Sequence, residues 1–173
     1  MICARCSKKL RSKFTLLKVS DPKQRRMIGR LVTTYWGEDK QLMFDNEFEV
    51  AKLRAFYAKV DEGFAGFASF ADFKDSVIIA ALVVLPRYQN LGIGSGLIEK
   101  IKTEASKRGK HMLLVATSND DLPALAFYQS LGFQIFEVKP DVIVQKHGEV
   151  LIGICGLPIR DELRMRLTLK PAL

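Results

Sequence analysis

The apolar positions of this chain change period several times, and each change marks an element. Residues 13–20, KFTLLKVS, read as a first strand. The run SDPKQRRMIGRLVTTYW (20–36) predicts a helix, with Ser20 or Asp21 as its cap and Pro22 in its first turn. Residues 37–50 read as irregular and acidic. AKLRAFYAKV (51–60) and FAGFASFA (64–71) flank DEG, a hairpin signal, and VIIAALVVL (77–85) follows after the short turn at KDS. These make three consecutive strands, expected to be antiparallel. Leu97, Ile98, Ile101 and Ala105 then recur at helical spacing, with Gly109 as a stop. HMLLVAT (111–117) is a short buried strand. DLPALAFYQSLG (121–132) is a helix with Pro123 in its first turn and Gly132 past its end, and FQIFEVKPDVIV (133–144) reads as a strand. Leu163, Met165, Leu167 and Leu169 alternate as a last strand. A strand-helix-strand-helix-strand second half implies a sheet that turns parallel there, so the fold class is α/β or α+β with a mixed, largely antiparallel central sheet flanked by helices.

Length and composition support one packed unit. The 173 residues are 48% hydrophobic and 27% charged, enough to build a core, and 1–173 read as a single domain whose residues 1–12 form a basic terminus free to flex. No apolar run approaches the roughly 18 residues a bilayer span needs, and the start MICARCSKKLRSKF has charge without a following apolar stretch; the expectation is a cytoplasmic protein without a membrane partner. Cys3, Cys6 and Cys155 form no disulfide framework. Cys3 and Cys6 make a CxxC, but a structural zinc needs four ligands, and His111, His147 and Cys155 stand singly, so no metal site is assigned. Cys155 has no histidine partner suggested by spacing and reads as a buried small residue rather than a nucleophile. The net charge of +8 favours an anionic partner. Nucleic acid is disfavoured, because the basic N-terminal segment lacks interleaved aromatics and recognisable reading motifs.

The stretch QNLGIGSG (89–96) narrows the anion. It places three glycines at alternate positions where a strand hands over to a helix. The first amides of a helix have no internal acceptor, and the helix dipole adds roughly half a positive charge at that end. Each charge-assisted hydrogen bond contributes about 1.5–3 kcal/mol against about 0–1 for an exposed ion pair, so converging amides outweigh scattered surface cations. A nucleotide-triphosphatase loop needs Gly-Lys-Ser/Thr, and Gly94-Ser95-Gly96 has no lysine. A dinucleotide fingerprint needs a third glycine where Leu97 stands, and an opening strand-helix-strand unit that three earlier strands displace.

Gln89, Gly92 and Gly94 fit Gln/Arg-x-x-Gly-x-Gly/Ala, which resembles the acyl-CoA signature of the GNAT N-acetyltransferase superfamily. Asn119, Ala124, Phe127, Tyr128, Gly132 and Phe133, in SNDDLPALAFYQSLGF, resemble that family's later motif. The resemblance covers about residues 50–138, and GLPIRDE (156–162) is similar to a terminal motif in a branch whose acceptor is unassigned. It implies a parallel, splayed strand pair in mid-sheet and acetyl-CoA as co-substrate. The pyrophosphate would rest on the amides of Asn90, Leu91, Gly92, Ile93, Gly94 and Ser95, with Gln89 of the signature also at the cofactor, and the pantetheine arm on Leu82, Val83 and Val84. Asn119 and Phe127 would stand beside the arm, and Tyr128 would protonate the departing thiolate. Residue by residue, Asn119 also reads as a helix cap and Tyr128 as a core aromatic.

The implied reaction is acetyl transfer from acetyl-CoA to a primary amine by direct attack in a ternary complex, with no acylated side chain. Relatives place a carboxylate on the central strand as base; SVIIAALVVL has none. The base is unassigned, with Asp45, Glu47, Asp161 and Glu162 as candidates by default. The missing acid keeps a non-catalytic acyl-CoA sensor in view. Glu38–Glu49, where the family builds its acceptor wall, suggests a cationic small-molecule or peptide amine; a solvated loop is the competing reading, and a homodimer is left open.

Overall fold

The computed structural model describes residues 14–169, so the basic terminus and its Cys3–Cys6 pair lie outside the described residues. The chain opens with β1 (Phe14–Lys18) and α1 (Pro22–Trp36). Asp21 is the cap: its carboxylate accepts the Lys23 amide at 2.7 Å, and the Gln24 side chain accepts the Asp21 amide at 3.2 Å, closing a reciprocal box. Gly37, at φ 77°, ends the helix.

Residues 37–50 are not irregular. They contain a hairpin, β2 (Lys40–Met43) and β3 (Asn46–Glu49), turned by Phe44 at φ 51° and Asp45 at φ 59°. Two left-handed residues in a row match the twist of the flanking strands, but Phe-Asp does not announce the turn as Asn-Gly would. A single 3₁₀ turn at Val50–Lys52 leads to β4 (Arg54–Val60), β5 (Gly63–Phe73) and β6 (Ser76–Val84). Next come α2 (Ile93–Lys107), β7 (Met112–Ser118), α3 (Leu122–Ser130) and β8 (Gln134–Lys139). The expected strand 133–144 stops at Lys139. Pro140 has no N–H for the ladder, and Asp141 turns left-handed at φ 57° while giving its amide to the Asp161 carboxylate at 2.9 Å. The apolar residues that follow form α4 (Val142–His147) instead. A small hairpin, β9 (Leu151–Ile152) and β10 (Pro158–Ile159), precedes β11 (Glu162–Thr168).

Seven strands form one sheet in the order β1-β4-β5-β6-β7-β11-β8. Every neighbouring pair is antiparallel except β6 and β7. The last strand inserts between β7 and β8, so the parallel character expected for the second half is confined to that one pair. Its ladder runs from Ser76 opposite Met112 to Ile79 opposite Val115 and then stops, although β6 continues to Val84 and β7 to Ser118. A bulge marks the stop. Ser69 of β5 faces Ala81 and Phe70 faces Ile79, which leaves Ala80 as an extra residue that bends β6 away from β7.

One face of the sheet carries α2 and α3 over a core that includes Ile79, Leu97, Ile98, Leu113, Tyr128 and Met165. The other carries α1 over Phe67, Ala81 and Val83, and the β2–β3 hairpin over Ile78, Ala80 and Leu114. No described helix is long and apolar enough to cross a membrane.

Candidate active site

On the α2–α3 face a groove of about 490 Å³ runs along the parted end of β6. Its floor is the entry to α2. The first helical hydrogen bond runs from the Gly96 amide to the Gly92 carbonyl at 2.9 Å, which leaves the amides of Ile93, Gly94 and Ser95 without a helical acceptor at the positive end of the dipole. The three glycines have three separate causes. Gly92 caps the helix at φ 84°, a conformation costly for any L side chain. A Cβ on Gly94 would lie 3.1 Å from Phe127 Cζ in the groove. A Cβ on Gly96 would lie 3.1 Å from Phe14 Cε2 and 3.2 Å from Leu16 Cδ1, so that glycine lets α2 approach β1. Gln89 donates from Nε2 to the Val84 carbonyl at 3.1 Å, folding the loop back onto its strand.

Leu82, Val84, Gln89, Asn90, Gly92, Ile93, Gly94, Ser95, Phe127 and Tyr128 all line this groove. Val83 does not, since strand alternation buries it against α1, and Leu91 packs beside the α2 core. Asn119 lies outside the lining. Its side chain donates to the Pro158 carbonyl at 2.8 Å and accepts the amides of Arg160 at 2.8 Å and Asp161 at 3.0 Å. Nor is it the helix cap, because Asp121 takes the Ala124 amide at 3.0 Å. Asn119 instead moors the β10–β11 connection to the end of β7.

A second cavity, of about 360 Å³, opens on the opposite face. Its walls come from Ala80 and Ala81 at the bulge, the last residues of β7, Tyr35 and Trp36 at the end of α1, Met43 of β2, and α4. Leu82, Asp121, Ala124 and Tyr128 line both hollows. The parted strands therefore form a passage through the sheet. Tyr128 stands in it, held edge-on by Phe127 at 5.2 Å and Phe133 at 5.4 Å between ring centroids. Burial, and then the negative charge of Asp121, push its phenol above the ordinary value, so it is protonated at neutral pH.

Of the four candidate bases, only Glu162 lines a hollow. Asp45 sits at the exposed hairpin tip, 3.0 Å from an Arg164 nitrogen that holds its carboxyl below the usual range. Glu47 pairs with Lys40 at 2.7 Å on the surface. Asp161 accepts the Asp141 amide. Glu162 is 6% exposed and accepts both the Phe44 amide, at 3.2 Å, and Arg164 Nε.

Sequence reasoning passed over Asp121, whose spacing to Pro123 signals a cap, and Arg164, which strand alternation puts on the same face as Glu162. Cys155 is exposed rather than buried, because it occupies a tight turn between β9 and β10 at φ 57°. Among the described residues, no group of three or more His, Cys, Asp or Glu side chains is placed to hold a metal.

A family model described as "Acetyltransferase (GNAT) family" matches residues 24–133. The chain is 26% identical over 145 residues to the uncharacterized protein YdhI of Bacillus subtilis, covering 80% of this chain and 89% of that protein. It is 31% identical over 85 residues to the [ribosomal protein bS18]-alanine N-acetyltransferase of Escherichia coli, covering 49% of this chain and 57% of that one. The crystal structure of a Bacillus subtilis acetyltransferase in complex with CoA superposes with a TM-score of 0.71 at 19% identity, covering 91% of this chain and all of that one.

Proposed function

The chain belongs to the GNAT acetyltransferase family, and from that premise we propose that it transfers an acetyl group from acetyl-CoA directly to a primary amine. The cofactor's pyrophosphate takes the amides at the start of α2, and its pantetheine arm runs along Leu82 and Val84 to the passage. The amine enters from the opposite cavity and attacks the thioester carbonyl. Attack is by the neutral amine, after its ammonium form has given a proton to water in the cavity. The C–N bond forms, the C–S bond breaks, and Tyr128 gives its proton to the departing sulfur. The proton then shed by the nitrogen restores the phenol, so that the products are an amide and a free thiol. Backbone groups freed where the β6–β7 ladder ends can stabilise the developing oxyanion.

One observation carries this reading: Leu82 and Tyr128 line both hollows, which offers a donor in one and an acceptor in the other a common meeting point. A relative named for N-acetylation of alanine in ribosomal protein bS18 supports an amine nitrogen as acceptor. Calorimetric titration with CoA, followed by thiol release from acetyl-CoA over an amine panel, tests it. Absence of heat with CoA removes the reading. CoA binding with no thiol release for any amine would reassign the chain as an acyl-CoA sensor.

A further inference from the structure

We infer that Glu162 holds the incoming ammonium and that Arg164 is the positioning residue that fixes its carboxylate, so that the acceptor enters as an organic cation. The inference rests on the acetyl-transfer reading above and names the class of its second substrate.

Arg164 is 5% exposed and does not line the cavity. Its guanidinium is shared among three carboxylates: Glu162 on its own strand, Glu137 of β8 at 3.0 Å and Asp45 of the hairpin tip at 3.0 Å. It also lies over the Phe44 ring, 5.0 Å from the centroid. Lys139, 3.4 Å from Glu137, adds a second cation to this group. Among the groups in direct ion-pair contact, two positive charges stand against three negative ones; Arg166, two residues along β11 and over the Phe136 ring at 5.4 Å, brings a third cation to the same face.

Of those three carboxylates, Glu162 is the one that lines the cavity. The strand register sets it opposite Ser118, the last residue of β7, where the parted pair is open. The remaining walls agree in sign. Glu38 and Asp121 face the same cavity, with Lys146 paired to Glu38 as its lysine and His147 beside it. In a chain of net charge +8, three lining carboxylates against one lysine reverse the overall balance. Tyr35 and Trp36 also line the cavity, and aromatic rings attract an organic cation beyond the apolar contact that a neutral group of the same shape would make.

Two isosteric probes separate charge from shape. Choline carries a quaternary nitrogen that cannot be acetylated, and 3,3-dimethylbutan-1-ol replaces that nitrogen with carbon. On CoA-loaded full-length protein, calorimetry should find choline bound about two- to thirtyfold more tightly, the range of a cation–π and ion-pair contact made without a hydrogen bond. Glu162→Gln should cut the preference by more than half, the remainder coming from the other carboxylates and the rings, while leaving CoA affinity within about twofold. Arg164→Lys, which keeps the charge but loses the fork, should weaken the preference and raise the KM for amines more than it lowers kcat. Glu137→Gln gives an opposing check that leaves the buried arginine in place. It frees a larger share of the guanidinium for Glu162 and should lower choline affinity. Equal affinity for the two probes, no binding of either, or a preference undiminished by Glu162→Gln overturns the inference. If CoA itself fails to bind, it is the acetyl-transfer reading that falls.

Discussion

Replacing Tyr128 with phenylalanine tests the passage most directly. The change removes one hydroxyl and keeps the edge contacts with Phe127 and Phe133, so folding stability should move by no more than about 0.5 kcal/mol. The proposed pyrophosphate seat at the start of α2 lies on another element, and CoA affinity should stay within about threefold. The chemical step should not be spared. A thiol with a pKa near 8.5 leaves more readily if it departs with a proton, and the raised pKa of the buried phenol keeps that proton in place across neutral pH. A positioned general acid contributes about 10²–10⁴-fold, which corresponds to about 2.7–5.4 kcal/mol of barrier at 1.36 kcal/mol per decade. The assay is thiol release from acetyl-CoA at saturating amine, captured with a chromogenic disulfide, alongside calorimetry with CoA. Unchanged kcat would refute the acid role, and a loss of CoA affinity matching the loss of rate would reduce Tyr128 to a packing residue.

Tyr128 should also leave a mark at alkaline pH: above about pH 10 the unfolded chain releases a phenolic proton that the folded chain keeps, so this residue's contribution is intact below pH 10 and lost as pH rises further. Urea melts of Tyr128→Phe should therefore fall less steeply above pH 10 than those of the parent, and parallel curves would deny the burial. Gly92→Ala has open space for its methyl but an unfavourable φ of 84°, so it should cost about 1–3 kcal/mol, lower the melting temperature by at least about 2 °C and weaken CoA binding, with Gly92→Asn milder on all counts. Gly153→Ala would drive a Cβ into Asp120 Oδ2, breaking the 3.0 Å bond from the Ile154 amide. It should cost about 1.5–3 kcal/mol in urea melts and raise the amine KM with CoA affinity preserved, because β9 and β10 border the proposed acceptor cavity and not the groove at α2.

Local pattern carried the elements that obey one period and carry their own stop signals. The helix after Gly92, the helix capped at Asp121 and the three strands around DEG and KDS are of this kind, because capping and turn chemistry act over a few residues. The hairpin at 40–49 was hidden because its turn residues, Phe44 and Asp45, are held left-handed by tertiary contacts: Glu162 accepts the Phe44 amide and Arg164 engages Asp45. The run after Phe133 concealed a break, since apolar residues on both sides of Pro140 match either strand or helix until the fold decides. Strand order was beyond any local signal. Nothing near Glu162 in the sequence says that it will face Ser118, and so Glu162 was read on equal terms with Asp45, Glu47 and Asp161 although it alone reaches the cavity.

The absent acid on β6 and the bulge in that strand are linked. By inserting Ala80, the bulge sets two small residues, Ala80 and Ala81, in succession on the acceptor face, where strict alternation would turn one of them away. Their size leaves room at the passage, and a long carboxylate at either position would fill the space that the parted strands create. In the proposed mechanism the negative group comes from farther off, on β11, whose antiparallel register with β7 brings Glu162 level with Ser118. The arrangement ties recognition to stability. The carboxylate that faces the cavity is also the acceptor for the backbone of the hairpin tip, and the guanidinium that fixes it also grips that tip through Asp45. Removing either partner leaves a buried polar group short of a hydrogen bond and loosens the hairpin at once, so effects of substitutions at Glu162, Arg164 and Phe44 should not add.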